Sequence, residues 1–247
     1  MSIVFATLGA DLIAKPPLAG SVQVEAKLIH RPVLQSDGGA TDPAAVENSG
    51  NVPCFASGTL IETKDGLIPV EAIEIGQKVM TRDNGYRMVR WVGRRDLTAA
   101  DLVAEPALMP VRIRRGALGN GFPAADMLVA QQQRMLLTGV RTEQYFGETE
   151  VLVAAADLVG QPGIARAEVK EVSFIQIMFD AHEIILAAGA WSESFQPDDL
   201  TLRGLDSDQR AEIFTLFPEL AFQCGRDAYQ AARLRLKPHE VDVLLAA

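Results

Sequence analysis

The chain has 247 residues, 48% of them hydrophobic, which is ample for a packed core and excludes a disordered polypeptide. Its formal net charge of −9 disfavours nonspecific attraction to phosphate backbones and anionic lipid, so neither nucleic acid nor a membrane is an expected partner. Two cysteines, Cys54 and Cys224, define no disulfide framework, although one bridge between them stays open to the sequence.

The first residues lack a basic leader and their apolar run is broken by Asp11, so no secretory signal is predicted. No stretch has the length and apolarity of a spanning helix. A soluble, cytoplasmic protein is expected, with export by a signal-less route left open. Residues 3–5 are apolar, 22–28 carry an apolar residue at every second position, and 36–40 and 48–51 are rich in Ser, Asp, Asn and Gly, the texture of a linker. Residues 1–51 are therefore read as an N-terminal segment and linker, ending where Val52-Pro53-Cys54 begins a different texture.

From Cys54 the chain becomes a β-meander. Residues 59–63 alternate apolar and β-branched positions, Lys64-Asp65-Gly66 supplies a turn, and 67–70 form a second short strand limited by Pro69. After Gly76 comes the strand 79–81, and Arg82-Asp83-Asn84-Gly85 has the turn chemistry of a hairpin into a strand over 87–92. The Ala-rich stretch 97–108 predicts a short helix. Further β-prone runs lie at 111–113, 127–129, 151–153, 171–179 and 182–186, with Gly and Pro between them. Beyond Ser194 the texture turns helical, with helices predicted over 208–217, 227–236 and 238–245, the last opened by Pro238. Asp198-Asp199 read as a solvated helix cap. No internal repeat is evident.

The residues Cys54, Gly58-Thr59, Ile61, Thr63, Gly66, Pro69-Val70-Glu71, Ile75-Gly76 and Val79-Met80-Thr81 resemble the start of a Hint (Hedgehog/intein) domain, in the form found in bacterial Hint-domain proteins. The resemblance continues through Val89-Arg90-Trp91-Val92-Gly93, Gly116-Ala117-Leu118-Gly119 and Asp180-Ala181-His182-Glu183. It implies a mainly β, horseshoe-like Hint fold over residues 52–195, with residues 196–247 as a small helical C-terminal tail that caps the module or binds a partner.

The resemblance also implies a chemistry. Cys54 takes the place of the family nucleophile, whose sulfur attacks the carbonyl just before it, here that of Pro53. An ordinary thiol is only ~3% ionised at neutral pH, so a neighbouring base or donor matters. The family's proton donor is a histidine in a Ser/Thr-x-x-His motif, but here Ala130 stands for Ser or Thr and Gln133 stands for His. Glutamine donates a hydrogen bond and cannot transfer a proton near neutral pH. Asp180 and His182 match the Asp/His segment near the end of Hint modules, where His182 would serve as the surviving acid/base. Cys54, Gln133 and His182 are expected to converge on one small cleft. The bland readings are a buried apolar Cys54, a structural His182 with satisfied nitrogens, and Asp180 as a turn residue.

Two functions follow from different classes. One is weak self-cleavage of the Pro53–Cys54 bond, with the protein's own N-terminal segment as substrate. The other is a catalytically decayed module that serves as a structural or protein-interaction domain, its protein partner unknown. Neither needs a cofactor. Three dispersed histidines and two distant cysteines match no usual zinc spacing, and no phosphate-cradling or dinucleotide motif occurs.

Intein splicing ends with cyclisation of an asparagine that follows the terminal histidine, and no asparagine follows His182. Residues 195–247 are thus expected to stay joined to the module, with no ligation of the N-terminal segment to the tail. Intact-mass measurement after long incubation checks this, and a released tail fragment would contradict it.

Overall fold

The computed structural model describes residues 52–246. The apolar run at 3–5, the alternating stretch at 22–28 and the linker up to residue 51 lie outside the described residues. Within them the chain forms β1 (Phe55–Ala56), β2 (Leu60–Thr63), β3 (Gly66–Pro69), β4 (Lys78–Thr81), β5 (Gly85–Met88) and β6 (Trp91–Leu97). Then come α1 (Ala99–Ala104), β7 (Val111–Ile113), β8 (Met127–Val129), β9 (Arg134–Thr138), α2 (Val140–Phe146), β10 (Glu150–Ala154), β11 (Ile164–Arg166), β12 (Val172–Met178), β13 (Ile184–Ala187) and β14 (Ala190–Glu193). The tail adds α3 (Asp199–Arg203), α4 (Ser207–Leu216), α5 (Gln223–Ala228), β15 (Leu234–Arg235) and α6 (Pro238–Leu245).

Two hairpins open the meander, and each closes in the same way. Thr63 Oγ1 donates to the Gly66 carbonyl and Thr81 Oγ1 to the Gly85 carbonyl, both at 2.7 Å. Gly66 and Gly85 have φ of 108° and 63°, a region that costs a side-chain-bearing residue strain. The threonines therefore bridge turns that only glycine completes without penalty.

The described strands form two sheets. One has six strands in the order β11-β7-β8-β1-β12-β6, and the other nine, running β15-β10-β9-β14-β13-β2-β4-β5 with β3 on β2. All pairings are antiparallel except β10 with β15. The expected strand over 87–92 is broken, because the chain changes sheet there. Val89 exchanges backbone hydrogen bonds with the Gly76–Gln77 turn while the amide of Arg90 donates to Met178 on the other sheet. Strands β9 and β14 were not expected from the sequence. The run Arg134-Met-Leu-Leu-Thr has Met135 and Leu136 both buried, and a continuous apolar run carries no periodicity that separates strand from helix.

The helix expected over 97–108 is α1 followed by a 3-10 turn at Pro106–Leu108, with Thr98 and Asp101 forming a reciprocal capping box. Asp198 caps α3 as expected, its Oδ1 accepting from the amides of Leu200 and Thr201. The helix expected over 227–236 does not form. The chain leaves α5 after Ala228, and β15 pairs with β10 while the Leu236 amide donates to the Leu152 carbonyl at 2.9 Å. Arg233 reaches Asp83 and Glu150, each at 2.7 Å. An extended backbone satisfies these partners, so tertiary contacts override the helix propensity of the Ala-rich stretch.

Two large apolar clusters hold the body together. The first joins both sheets through Phe55, Ile61, Val129, Ile175 and Ile185 and takes Val241 and Leu244 from α6. The second contains Cys54, Trp91, Ala130 and Met178, and residues after 195 supply Leu202, Leu205, Ile213, Phe217, Leu220 and Tyr229 to it. Among the described residues no helix is long and apolar enough to cross a membrane.

Ile213 is fully buried whereas Leu216, on the same helix, is 44% exposed. Ile213→Ala should destabilise the protein by about 2–5 kcal/mol, the cost of lost burial plus a cavity, and Leu216→Ala by only ~0.5 kcal/mol. Denaturant unfolding followed by Trp fluorescence measures both, since Trp91 Nε1 donates to Glu212 Oε2 on the same helix at 3.2 Å.

Candidate active site

Cys54 immediately precedes β1, and its carbonyl accepts from the Ala130 amide at 2.9 Å, so the stretch expected to carry the donor motif is tied to the nucleophile by backbone. The thiol lies 3.3 Å from the Val52 carbonyl, to which it donates, and accepts from Gln176 Nε2 at 3.0 Å. Cys54 is 4% exposed. Burial pushes its pKa up to about 12, against the opposing pull of the Gln176 hydrogen bond and the Arg95 charge. At neutral pH the sulfur is therefore a thiol.

Gln176 was not singled out from the sequence. It is the one polar residue in Phe174-Ile175-Gln176-Ile177-Met178-Phe179, and that interruption of an apolar run was the available signal. It is buried, and its Oε1 has no hydrogen-bond partner among the described residues. Gly93 lies opposite on β6. A Cβ there would stand 2.5 Å from Gln176 Oε1 and 2.2 Å from the Trp91 ring, so a side chain at 93 would displace the group that holds the sulfur.

Gln133 and His182 both reach residues of β14. The Gln133 amide donates to Ser192 Oγ and to the Glu193 carbonyl, both at 2.8 Å, and its backbone N closes the turn onto the Ala130 carbonyl at 3.0 Å. His182 Nε2 stands 3.5 Å from Glu193 Oε2. The pair is near enough for electrostatic contact, but Nε2 makes no hydrogen bond among the described residues. Nδ1 accepts from the Ala232 amide at 2.9 Å. Glu193 is fully buried and its carboxylate accepts from Arg134 Nη1 at 3.0 Å and from the Arg134 amide at 3.1 Å. Glu193, Ser192 and Arg134 also escaped the sequence reading, since a buried carboxylate has no signature of its own.

Asp180 lies apart from both groups. Its side chain is 73% exposed and stands 3.2 Å from Arg90 Nε. Cys54, Gln133 and His182 are each buried. The fold brings Gln133 and His182 together on Glu193, and it places Gln176 against Cys54. Among the described residues no cluster of His, Cys, Asp and Glu could hold a metal ion. Cys54 and Cys224 are both free.

The Hint domain family model matches residues 53–199, beginning one residue before Cys54. The chain belongs to the Hint domain family. It is similar to several solved structures, each covering 57% of this chain. The crystal structure of the gp41-1 intein has 12% identity, 97% of its own length covered and a TM-score of 0.33. The solution structure of a bacterial intein-like domain from Clostridium thermocellum has 14%, 97% and 0.36. A splice-inactive variant of the AceL NrdHF class 3 split intein has 12%, 97% and 0.38. No curated protein matches. The Hint horseshoe of short strands followed by a small helical part is the fold class expected from the sequence.

The thiol's environment sets a pH dependence. The folded form keeps the proton up to about 12 against an ordinary value of 9.0, so the unfolded chain loses it first. This contribution is intact below pH 9 and stability falls as pH rises from there toward 12, by up to ~1.4 kcal/mol per unit. Unfolding of wild type and Cys54→Ala across that window should show a difference that shrinks as pH rises. A constant difference would mean that the thiol is solvated.

Proposed function

We propose that this chain is a Hint-type self-processing module in which the N–S acyl shift at Cys54 is held off by the closed fold. In the shift, the Cys54 sulfur attacks the Pro53 carbonyl carbon, a C–S bond replaces the C–N bond, and the thiol proton ends on the freed amine. Water then attacks the thioester, giving a Pro53 carboxylate and restoring the thiol. The substrate is the protein's own preceding segment, and the missing asparagine leaves no splicing step.

The observation that carries this reading is the state of the sulfur. A group in the nucleophile's place is buried, its burial favours the protonated thiol, and the side chain that hydrogen-bonds it is the carboxamide of Gln176. An amide orients the thiol but supplies no base and no acid for the departing nitrogen. Slow cleavage between Pro53 and Cys54, without release of the tail, is the consequence. A second reading, a decayed module kept as a structural or interaction domain, draws on the Gln133 amide, which is fully engaged in joining the Ala130 turn to β14.

Incubation with a small thiol and intact-mass measurement separates the two. Wild type should remain largely whole, and Ala130→Ser with Gln133→His should speed cleavage before Cys54 on the order of 10²-fold, the usual worth of a positioned acid. Adding Cys54→Ala should abolish it. A double mutant as inert as wild type would reject the acyl-shift reading in favour of the structural one.

A further inference from the structure

The His182 ring is fixed by a residue fifty positions later. Its Nδ1 accepts from the Ala232 amide at 2.9 Å, and a nitrogen that accepts a hydrogen bond carries no proton. In the neutral ring the proton therefore sits on Nε2. That nitrogen faces Glu193 Oε2 at 3.5 Å, with both side chains wholly buried, and has no hydrogen-bond partner among the described residues. A buried N–H left unpaired is costly, and the nearest acceptor that a small shift would engage is the carboxylate already in front of it.

We propose that the C-terminal tail completes the His182 site: the Ala232 backbone amide holds the ring as its Nε2–H tautomer, aims that proton at Glu193, and masks Nδ1. Ala232 is a positioning residue acting through its backbone, which is why no side chain marks it in the sequence. Its amide is held from both sides. Upstream, the Tyr229 hydroxyl donates to the Phe179 carbonyl at 2.9 Å and Gln196 Nε2 to the Tyr229 carbonyl at 3.1 Å. Downstream, Arg233 bonds Asp83 and Glu150, and Leu234 and Arg235 pair with β10.

A carboxylate facing one imidazole nitrogen helps fix the tautomer and orientation of the ring. Here the other nitrogen is Nδ1, and the tail amide occupies it, so both ring nitrogens of His182 face protein groups. The proposal concerns the ring and the tail alone, so it stands or falls independently of acyl transfer at Cys54.

The test reads the ring directly. Full-length protein with 15N-labelled histidine is examined by long-range proton–nitrogen NMR, with His182→Gln assigning the signals. Wild type should show a bare Nδ1 and a protonated Nε2 at His182, and the opposite tautomer would overturn the proposal. Ala232→Pro removes the N–H while Ala232→Gly keeps it. The glycine variant should retain the wild-type signals and the proline variant should lose the Nε2–H pattern. A folded proline variant with unchanged signals would sink the idea. Should proline prevent folding, hydrogen exchange at the Ala232 amide remains. It should be at least ~10-fold slower in wild type than in His182→Gln, and equal rates would overturn the assignment.

Discussion

A carboxylate with no exposed surface sits at the end of β14, and much of the architecture answers to it. Taking an unpaired charge out of water costs several kcal/mol, and removing one partner of a buried pair costs ~3–5 kcal/mol. Glu193 is compensated by the Arg134 guanidinium, by the Arg134 amide and by the nearby His182 ring. These partners lie on β9 and just before β13, while Glu193 itself ends β14. The neighbouring Ser192 closes the arrangement, its hydroxyl donating to the Arg134 carbonyl and accepting from Gln133. The order of the central strands is thus enforced by electrostatics as well as by backbone pairing.

The sulfur obeys the opposite rule. Cys54 sits among Trp91, Ala130, Met178 and residues supplied by the tail, where a neutral thiol is inexpensive and a thiolate is not. Its hydrogen bond from Gln176 lowers the cost of ionising without offsetting the burial. The protein therefore stabilises its fold with the same packing that quenches its nucleophile, and reactivity and cohesion are coupled through one apolar cluster.

The tail belongs to the same physical unit as the sheets. It donates aliphatic residues to both large clusters, adds a parallel strand at the sheet edge, and supplies backbone hydrogen bonds to His182 and Leu152. Its polar anchors, Arg233 with Asp83 and Glu150 and Arg235 with Asp198, are part-exposed and individually worth little. Their value is directional, because they hold the stretch around Ala232 extended where its composition favours a helix.

Local chemistry was legible in the sequence. The Thr-to-Gly hairpins, the Asp198 cap, the strand of residues 172–178 and the Pro238 helix all follow from interactions within a few residues, and the ordered motif from Cys54 to Thr81 pointed to the Hint fold. The absence of an asparagine after His182 is likewise a fact of sequence. Tertiary structure decided what depends on partners far along the chain. It broke the strand at Val89, turned residues 234–235 into a strand, and set Gln176 against Cys54 from 122 positions away. It also placed Gln133 and His182 on Glu193 and sent Asp180 to the surface. Propensity and periodicity report a residue's neighbours within a turn or a strand. Which side chain meets the sulfur, and whether water reaches it, depends on burial, which the folded chain alone determines.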